Sequence, residues 1–269
     1  MLKLIDQLKD PYERKARVFP GLLVALPVLL PLLCVYGPKH PTLTAVVGLL
    51  AACGVIYALA NIARGRGKAL EERLVKAWGS MPTTLALRHR DAFYDSVTKL
   101  RYHSDIVNKL GIPMPSQEEE AADPVKADDS YMGAARRLRE LTRDDKQLLL
   151  KENIAYGFHR NMLAMKGPGI LTSICGLVYG LVIARALSFM PFQFSPVHLA
   201  DPGLPAGLTL AVSLLLLLAW CFYFDADKVR RIGFAYAERL FEHLPSLSTS
   251  HQKQRTSRAK SGSSENNEH

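Results

Sequence analysis

Apolar residues dominate four segments of the chain, and each segment is long enough to cross a lipid bilayer as a helix. The four segments lie at about 18–36, 42–63, 169–187 and 204–224. About 20 apolar residues span the roughly 30 Å hydrocarbon core of a bilayer at about 1.5 Å per residue. The rest of the chain is densely charged. The pattern therefore predicts an all-α integral membrane protein with four transmembrane helices.

Short, turn-forming connections join these segments in pairs. Residues 37–41, with the sequence GPKHP, separate the first two segments, and their two prolines and one glycine favour a turn. The connection after residue 187 is rich in proline and aromatic residues and has no lysine or arginine. We therefore predict that the four helices form two antiparallel transmembrane hairpins.

Positive charge lies on one side of the predicted hairpins. The net charge is +9, and lysines and arginines cluster before the first segment, after the second, before the third and after the fourth. Because cytoplasmic flanks are enriched in lysine and arginine, we predict that both termini and the central segment are cytoplasmic. A signal peptide is the alternative for the first segment, but its apolar stretch is too long and no A-x-A site follows.

The hairpins divide the chain into six parts. The central part shows helical periodicity with little β-branched alternation, which predicts a cytoplasmic helical bundle. Residues 116–130 are acidic and poor in bulky apolar side chains, so we expect a mobile linker there. The predicted parts are a cytoplasmic N-terminal segment (1–17), a first transmembrane hairpin (18–63), a cytoplasmic helical segment (64–168), a second transmembrane hairpin (169–224), a cytoplasmic amphipathic helix (225–244) and a disordered tail (245–269).

Two clusters of arginine in the cytoplasmic part are candidates for binding a phosphate-bearing ligand. A guanidinium group matches the geometry of phosphate oxygens and donates paired hydrogen bonds to them. The alternative is a solvated helix face that nearby Asp and Glu residues neutralise. The candidate ligand-binding residues are Arg88, Arg90, Arg136, Arg137, Arg139 and Arg143.

Five residues in the predicted spans bear on how the hairpins move or pack. Pro27 and Pro31 each remove a backbone donor, so the first helix is either a gating hinge or an ordinary proline-containing membrane helix. Gly176 and Gly180 form a GxxxG pair, which permits close helix packing. Arg185, near the outer end of its span, either reaches the headgroups or belongs to a ring of arginines at a pore mouth.

The segment just before the third span combines aromatic and polar residues. His159, Arg160 and Asn161 lie in the sequence YGFHRNM. They either anchor the helix at the headgroups or couple the cytoplasmic bundle to the span. The chain has no P-loop, GxGxxG or G-x-S-x-G motif, and its histidines and cysteines lack metal-ligand spacing. We therefore expect no enzymatic activity, no cofactor and no metal.

Two stretches of the sequence carry a resemblance to a known class of proteins. YERKARVFPGLL (12–23) leads into the first hairpin, and ENIAYGFHRNMLAMKGPGI (152–170) leads into the second. With a helical cytoplasmic segment between them, residues 10–240 or so resemble the transmembrane effectors of bacterial antiphage systems, in particular the Hailong-type effectors, which are paired with a nucleotidyltransferase. The resemblance implies an oligomeric ion channel in the bacterial inner membrane, which a nucleotide or DNA-oligomer signal gates and which depolarises the infected cell.

Three functional hypotheses follow from the sequence. An oligomeric pore or ion channel gated from the cytoplasm, with the bilayer and further copies of the chain as partners, accounts for the short outer loops, the prolines and the basic cytoplasmic part. A membrane scaffold or adaptor that recruits a cytoplasmic partner needs the same topology without a pore. An enzyme acting on lipid would need Asp225, Asp227 or His159 as acid–base groups, but no spacing connects these residues.

Overall fold

The computed structural model describes residues 10–50, 54, 56–143 and 148–247. These residues are mostly helical and divide into two compact units. The first unit contains the described residues up to Leu74 together with Ile154–Val229, and the second contains those within Val75–Asn153 and from Arg230 onward. The predicted disordered tail lies almost entirely outside the described residues, and so does the middle of the second predicted span.

Helices follow one another along the whole described chain. In chain order they are α1 (Phe19–Tyr36, preceded by a π-helical turn at Glu13–Val18), α2 (Pro41–Leu50), α3 (Ile56–Trp78), α4 (Pro82–Leu85), α5 (Ser96–Leu110), α6 (Gln117–Ala122), α7 (Pro124–Leu141), α8 (Leu148–Ala164), α9 (Lys166–Ile183), α10 (Gly203–Leu218, continued by a π-helical turn at Ala219–Tyr223) and α11 (Ala226–Phe241). Between α9 and α10 lie two short antiparallel strands, β1 (Leu187–Phe189) and β2 (Phe192–Phe194), and a 3-10 turn at Pro196–Leu199. A 3-10 turn at Leu244–Ser246 follows α11.

Among the described residues, three helical stretches are long and apolar enough to cross a membrane. They are Glu13–Val35, Lys166–Ile183 and Gly203–Tyr223. They coincide with the first, third and fourth predicted spans. The second predicted span covers α2 and the start of α3, and residues 51–53 and 55 between these helices lie outside the described part of the chain.

The ends of α5 show how local sequence sets the helix boundaries of the second unit. The carboxylate of Asp95 accepts a hydrogen bond from the backbone N–H of Thr98, which satisfies a free donor in the first turn. Gly111 ends the helix in the left-handed conformation, at φ +68°, and its N–H donates to the carbonyl of Val107. The helix therefore ends at Leu110.

The prediction of a linker at 116–130 is wrong, because this segment forms α6 and the first part of α7. Ser116 and Glu119 form a capping box, in which each side chain accepts a hydrogen bond from the other residue's backbone N–H. Asp123 then caps α7, which begins at Pro124. The acidic residues that indicated a linker instead start helices, where the positive end of the helix dipole favours them.

Helices α9 and α10 of the first unit bury small residues and expose large apolar ones along their length, while a separate cluster around Trp220 buries large side chains. The buried residues of α9 are Gly169, Ser173, Gly176 and Gly180, and those of α10 are Ala206, Thr209 and Ser213. On the outward faces of the same helices, Leu171 is 63% exposed and Leu215 is 67% exposed. Small residues let helix backbones approach closely, which is how helices pack when lipid surrounds them.

The second unit has the opposite arrangement. Its core holds large apolar and aromatic side chains from α4, α5, α7 and α11, with Leu87, Ile106, Tyr131, Leu138 and Phe241 fully buried. Phe93 stacks on Phe234 with ring centroids 4.4 Å apart. Burial of this kind removes apolar surface from water, as in an ordinary globular helical domain.

Candidate functional site

Arg160 is the centre of a buried polar network in the first unit. Its Nη1 donates to Oε2 of Glu71 at 2.9 Å, and its Nε and Nη2 both donate to Oδ1 of Asn161 at 3.2 Å. The amide nitrogen of Asn161 donates to the backbone carbonyl of Ala16 at 2.6 Å, and the hydroxyl of Tyr156 donates to Oε1 of Glu71 at 2.9 Å. The network therefore joins α3, α8 and the π-helical turn that precedes α1.

Two glycines provide the space for this network. A methyl group at Gly67 would overlap Oδ1 of Asn161 and lie 2.9 Å from its Cγ, whereas one at Gly65 would meet no atom within 4 Å. A methyl group at Gly157 would lie 2.9 Å from the hydroxyl of Tyr12 and 3.1 Å from Cβ of Ala16. Glycine at 67 and 157 is thus required for the close approach of α3, α8 and the turn before α1.

His159, predicted to act with Arg160 and Asn161, lies in different surroundings. Its Nδ1 is 2.9 Å from the carbonyl of Ala155, which can only accept, so Nδ1 carries the proton. Its ring lies near those of Phe158, Tyr223 and Phe224, with centroids 5.4 to 6.1 Å away. The structure therefore brings Arg160 and Asn161 together and places His159 in an aromatic cluster.

Glu71 and Tyr156 belong to the Arg160 network, and the sequence alone does not identify them as members. Glu71 lies 89 residues before Arg160, and nothing local distinguishes it from the other charged residues of α3. Burial and the adjacent Glu71 carboxylate raise the pKa of Tyr156. The phenol therefore remains a hydrogen-bond donor over the physiological pH range.

Gly176 marks the point where α1, α9 and α10 meet. A methyl group there would overlap Oγ of Ser213 and lie 2.8 Å from Cβ and 2.9 Å from the carbonyl oxygen of Pro27. One turn further on, a methyl group at Gly180 would lie 2.8 Å from a methyl carbon of Leu210. The GxxxG pair predicted from the sequence therefore packs α9 against two neighbouring helices of the same chain.

Polar groups at this junction lack the partners that a helix normally supplies. Pro31 has no N–H, so it cannot donate to the carbonyl of Pro27 four residues before it. The hydroxyls of Ser173 and Ser213 are fully buried and have no hydrogen-bond partner among the described residues. We call this set of groups, with Gly176, the α1–α9–α10 junction. Such uncompensated polarity costs free energy, so it is unusual at a purely structural contact.

Arg185 occupies a backbone position that normally belongs to glycine. It follows the end of α9 at φ +60°, and its side chain is exposed. The N–H of Arg185 donates to the carbonyl of Val182 and that of Ala186 to the carbonyl of Leu181, which together form a Schellman motif. A left-handed conformation costs a residue with a side chain about 1 kcal/mol.

The structure places Arg88 and Arg90 in ion pairs within the second unit. Arg88 is buried and binds Asp128 through two of its nitrogens, with Nε to Oδ1 at 2.7 Å. Nη1 of Arg90 donates to Oε1 of Glu120 at 3.2 Å. Glu120 is buried and also accepts from the hydroxyl of Tyr131 at 2.6 Å. These two guanidinium groups already bind carboxylates from the segment predicted as a linker.

The four arginines of the other cluster lie on exposed positions at the end of α7 and just beyond it. Arg137 pairs with Glu140 at 3.0 Å, and Nε of Arg139 donates to the carbonyl of Ala135. Arg136, Arg139 and Arg143 are three and four residues apart, so their side chains share one face. This α7 arginine face is the part of the predicted ligand site that remains open to solvent.

A cleft of about 530 Å³ lies beside α5 in the second unit. Its walls include Leu100 and Val107 on one side and Met114 and Pro115 on the other. His89 and His103 meet edge to face at one end, with ring centroids 4.7 Å apart. Nε2 of His103 lies 2.8 Å from the carbonyl of Leu87, and burial lowers the pKa of this histidine.

Comparison with known proteins yields no relative. No protein-family model matches the chain, and neither a curated protein nor a solved structure shows significant similarity to it. Within the described part of the chain, no three His, Cys, Asp or Glu side chains come together as metal ligands would. The interpretation of function therefore rests on the geometry of this chain.

Proposed function

We propose that this protein is a polytopic membrane protein that assembles into an ion pore and opens in response to a cytoplasmic signal. The membrane assignment rests on the packing of the first unit. Its apolar helices place glycine, serine and threonine between themselves and leave leucine, valine and phenylalanine exposed. Exposed surfaces of this kind are unfavourable in water and favourable in hydrocarbon.

The α1–α9–α10 junction favours a pore over a passive anchor. An anchor needs only apolar helices, whereas this unit has two prolines within α1 and two buried hydroxyls, on α9 and α10, without a partner among the described residues. Helix-interrupting residues and uncompensated polar groups at membrane depth are typical of places where helices move or where water enters. In this proposal the second predicted span, α2 with the start of α3, completes the topology of two hairpins with both termini in the cytoplasm.

Two features support control from the cytoplasmic side. The Arg160 network ties the start of the first apolar helix to α3 and α8, so a displacement of either helix changes the contacts of Ala16. The α7 arginine face offers exposed guanidinium groups to an anionic signal. Together with the resemblance to antiphage effectors, this face supports a nucleotide or oligonucleotide as the signal.

Ion flux through liposomes tests the proposed pore. Vesicles that contain the purified full chain and a potential-sensitive dye should lose an imposed potassium gradient faster than empty vesicles. The substitution Gly67→Ala displaces Asn161 from its partners and should change this rate, whereas Gly65→Ala on the same helix should leave it as in the wild type. Protein that stays monomeric in mild detergent and never conducts would contradict a pore and would favour a membrane scaffold.

The ligand site needs a test of its own. A short single-stranded DNA oligonucleotide is a suitable anionic probe, because it presents several phosphates at once. Arg136→Glu together with Arg143→Glu should weaken its binding and its effect on flux. Arg88→Lys serves as a control within the same unit, because Arg88 already binds Asp128. Unchanged binding by the Arg136→Glu, Arg143→Glu chain would exclude the α7 arginine face.

A further inference from the structure

Helix α5 turns an apolar stripe toward solvent. Val97 is 75% exposed, Leu100 60% and Val107 45%, and the small residue Ser104 lies between the last two. The opposite face of the same helix, with Tyr102 and Ile106, is fully packed in the core of the second unit. The helix is therefore apolar on both faces, although one face has no partner among the described residues.

The spacing of the stripe is that of a seam between two helices. Positions 97, 100, 104 and 107 follow intervals of three, four and three residues, which is the repeat of side chains in a two-helix seam. Val97 and Val107 are ten positions apart, which corresponds to about 15 Å along the helix. This length matches another helix better than it matches a small molecule in the adjacent cleft.

The stripe is complementary to an inverted copy of itself. Its four positions are symmetric about residue 102, so an antiparallel second α5 places Val97 opposite Val107 of the partner copy and Leu100 opposite Ser104 of the partner copy. The small Ser104 faces the large Leu100 in both contacts, which allows the helices to approach evenly. A two-fold axis through the middle of α5 generates such a pairing without any change in either copy.

The charges beside the stripe fit the same arrangement. Arg101 is exposed and Asp105 is half-exposed on one flank of the stripe. In the antiparallel pairing, Arg101 of one copy and Asp105 of the other lie two residues apart along the axis, or about 3 Å. Two symmetric Arg–Asp pairs therefore form across the interface. A parallel pairing offers no such alignment, because it places the Arg101–Asp105 flanks of the two copies on opposite sides of the seam.

We propose that the α5 stripe is a self-association surface, at which two copies of this chain pair antiparallel through Val97, Leu100, Ser104 and Val107. The contact area is small compared with the roughly 800 Å² per partner of a typical stable interface. Its role therefore rests on the proposed membrane assembly, because confinement in one bilayer raises the effective concentration of the copies. The contact itself is measurable whether or not the protein conducts ions.

Disulfide crosslinking in membranes tests this pairing. In the full chain with Cys34, Cys53, Cys175 and Cys221 replaced by alanine, Val97→Cys with Val107→Cys should form a covalent dimer on mild oxidation. Either single substitution should give at least roughly fivefold less dimer, because only the 97–107 contact brings sulfurs within bonding distance. Val125→Cys with Val107→Cys is the matched control, since Val125 is also 75% exposed but lies on α7.

Three results would overturn the proposal. Equal dimer from each single substitution would indicate a parallel pairing, and equal dimer from the control would indicate random collision. No dimer from the double substitution, in a chain that conducts in liposomes, would refute this surface and leave the pore intact. Conversely, specific crosslinking in a chain that never conducts would refute the pore and keep the surface.

A charge exchange on the flank of the stripe gives a second check, with the 97–107 crosslink as the readout. Arg101→Glu and Asp105→Lys should each reduce the 97–107 crosslink, roughly threefold, because each places like charges across the interface. The combined Arg101→Glu, Asp105→Lys chain should recover the wild-type yield. Failure of the combined chain to recover, with each single chain impaired, would contradict the antiparallel alignment.

Discussion

Both units of this chain contain arginine–carboxylate networks, but helices α9 and α10 of the first unit bury a different kind of side chain from the core of the second unit. In the second unit, large apolar residues such as Leu87 and Phe241 form the core. On α9 and α10, Gly176 and Ser213 lie inside, while Leu171 and Leu215 lie outside. Burial of apolar surface in water can stabilise the second unit, but it does not explain the exposed leucines of α9 and α10. The proposed membrane location explains this difference, with lipid around the first unit and water around the second.

The stability of each unit can be measured separately, because each unit contains one of the two tryptophans. Trp78 packs against the core of the second unit, and Trp220 is fully buried in the first. Replacement of either one by phenylalanine leaves a fluorescence signal that reports on the other unit. Each of the next four predictions uses the tryptophan of the unit that carries the substitution.

The largest effect is expected from Glu120→Ala in the second unit. Glu120 is buried and accepts hydrogen bonds from Tyr131, Arg90 and the backbone N–H of His89. Its loss removes this acceptor from the Tyr131 hydroxyl and the His89 N–H, whereas Arg90 is exposed and keeps Asp128 at 3.5 Å. We expect the free energy of unfolding to fall by about 2–4 kcal/mol, as for the loss of two hydrogen bonds to a buried carboxylate. The midpoint of denaturation, followed through Trp78, measures it. A loss under about 1 kcal/mol would show that the network does not stabilise the unit.

A smaller effect is expected from Gly176→Ala in the first unit. The added methyl overlaps Ser213 and approaches Pro27, so the helices must separate, at a cost of about 1–3 kcal/mol. Gly167→Ala on the same helix is the control, because a methyl there meets nothing within 4 Å. Thermal unfolding in detergent, followed through Trp220, compares them. Equal melting temperatures would mean that the small-residue interface is not tightly packed.

The stability of the second unit should depend on pH in two separate windows. Burial alone would raise the pKa of Glu120, but hydrogen bonds from Tyr131, His89 and Arg90 outweigh it and lower the pKa. The stability from this carboxylate is present above about pH 4.3 and is lost as the pH falls through the folded pKa. Burial lowers the pKa of His103, so stability also falls as the pH drops below about 6.5.

Two substitutions separate these windows. Glu120→Gln should flatten the acid window, and His103→Gln should flatten the window below about pH 6.5. The midpoint of denaturation at a series of pH values, with Trp78 as the reporter, gives both slopes. An unchanged slope in either variant would assign that window to another group.

The smallest effect is expected from Arg137→Ala. This side chain pairs with Glu140 on the surface, and more than half of each side chain is exposed. Exposed pairs of this kind contribute under about 0.5 kcal/mol, so the midpoint followed through Trp78 should hardly move. A loss comparable with that of Glu120→Ala would mean that exposure does not distinguish the two networks.

The sequence predicts helices and their ends better than it predicts long-range partners. Gly111 and the prolines after it mark the end of α5, because local backbone preferences decide that boundary. The acidic composition of residues 116–130 indicates a linker, but the capping box at Ser116 and Glu119 is also a local signal, and it starts a helix there. The burial of Glu120 was not predictable in this way, because Arg90 and Tyr131 lie far from it in sequence.

In the candidate site too, the sequence indicates residues but not their long-range partners. The position of Arg160 and Asn161 just before an apolar helix was enough to single them out. Their partners, Glu71 and the carbonyl of Ala16, lie 89 and 145 residues away, so only the folded chain identifies them. The ion pairs of Arg88 depend in the same way on Asp128 of α7. Residue type indicates which groups need partners, and topology decides which partners they find.

Solvent accessibility of spin labels in liposomes tests the central claim most directly. In the cysteine-free chain, nitroxides at Leu171→Cys and Leu215→Cys should collide with oxygen, which dissolves in lipid, and not with a water-soluble nickel complex. A nitroxide at Val97→Cys, outside the apolar helices, should give the opposite result. Strong collision of the nickel complex with the labels at 171 and 215 would contradict the account, because it would place the first unit in water.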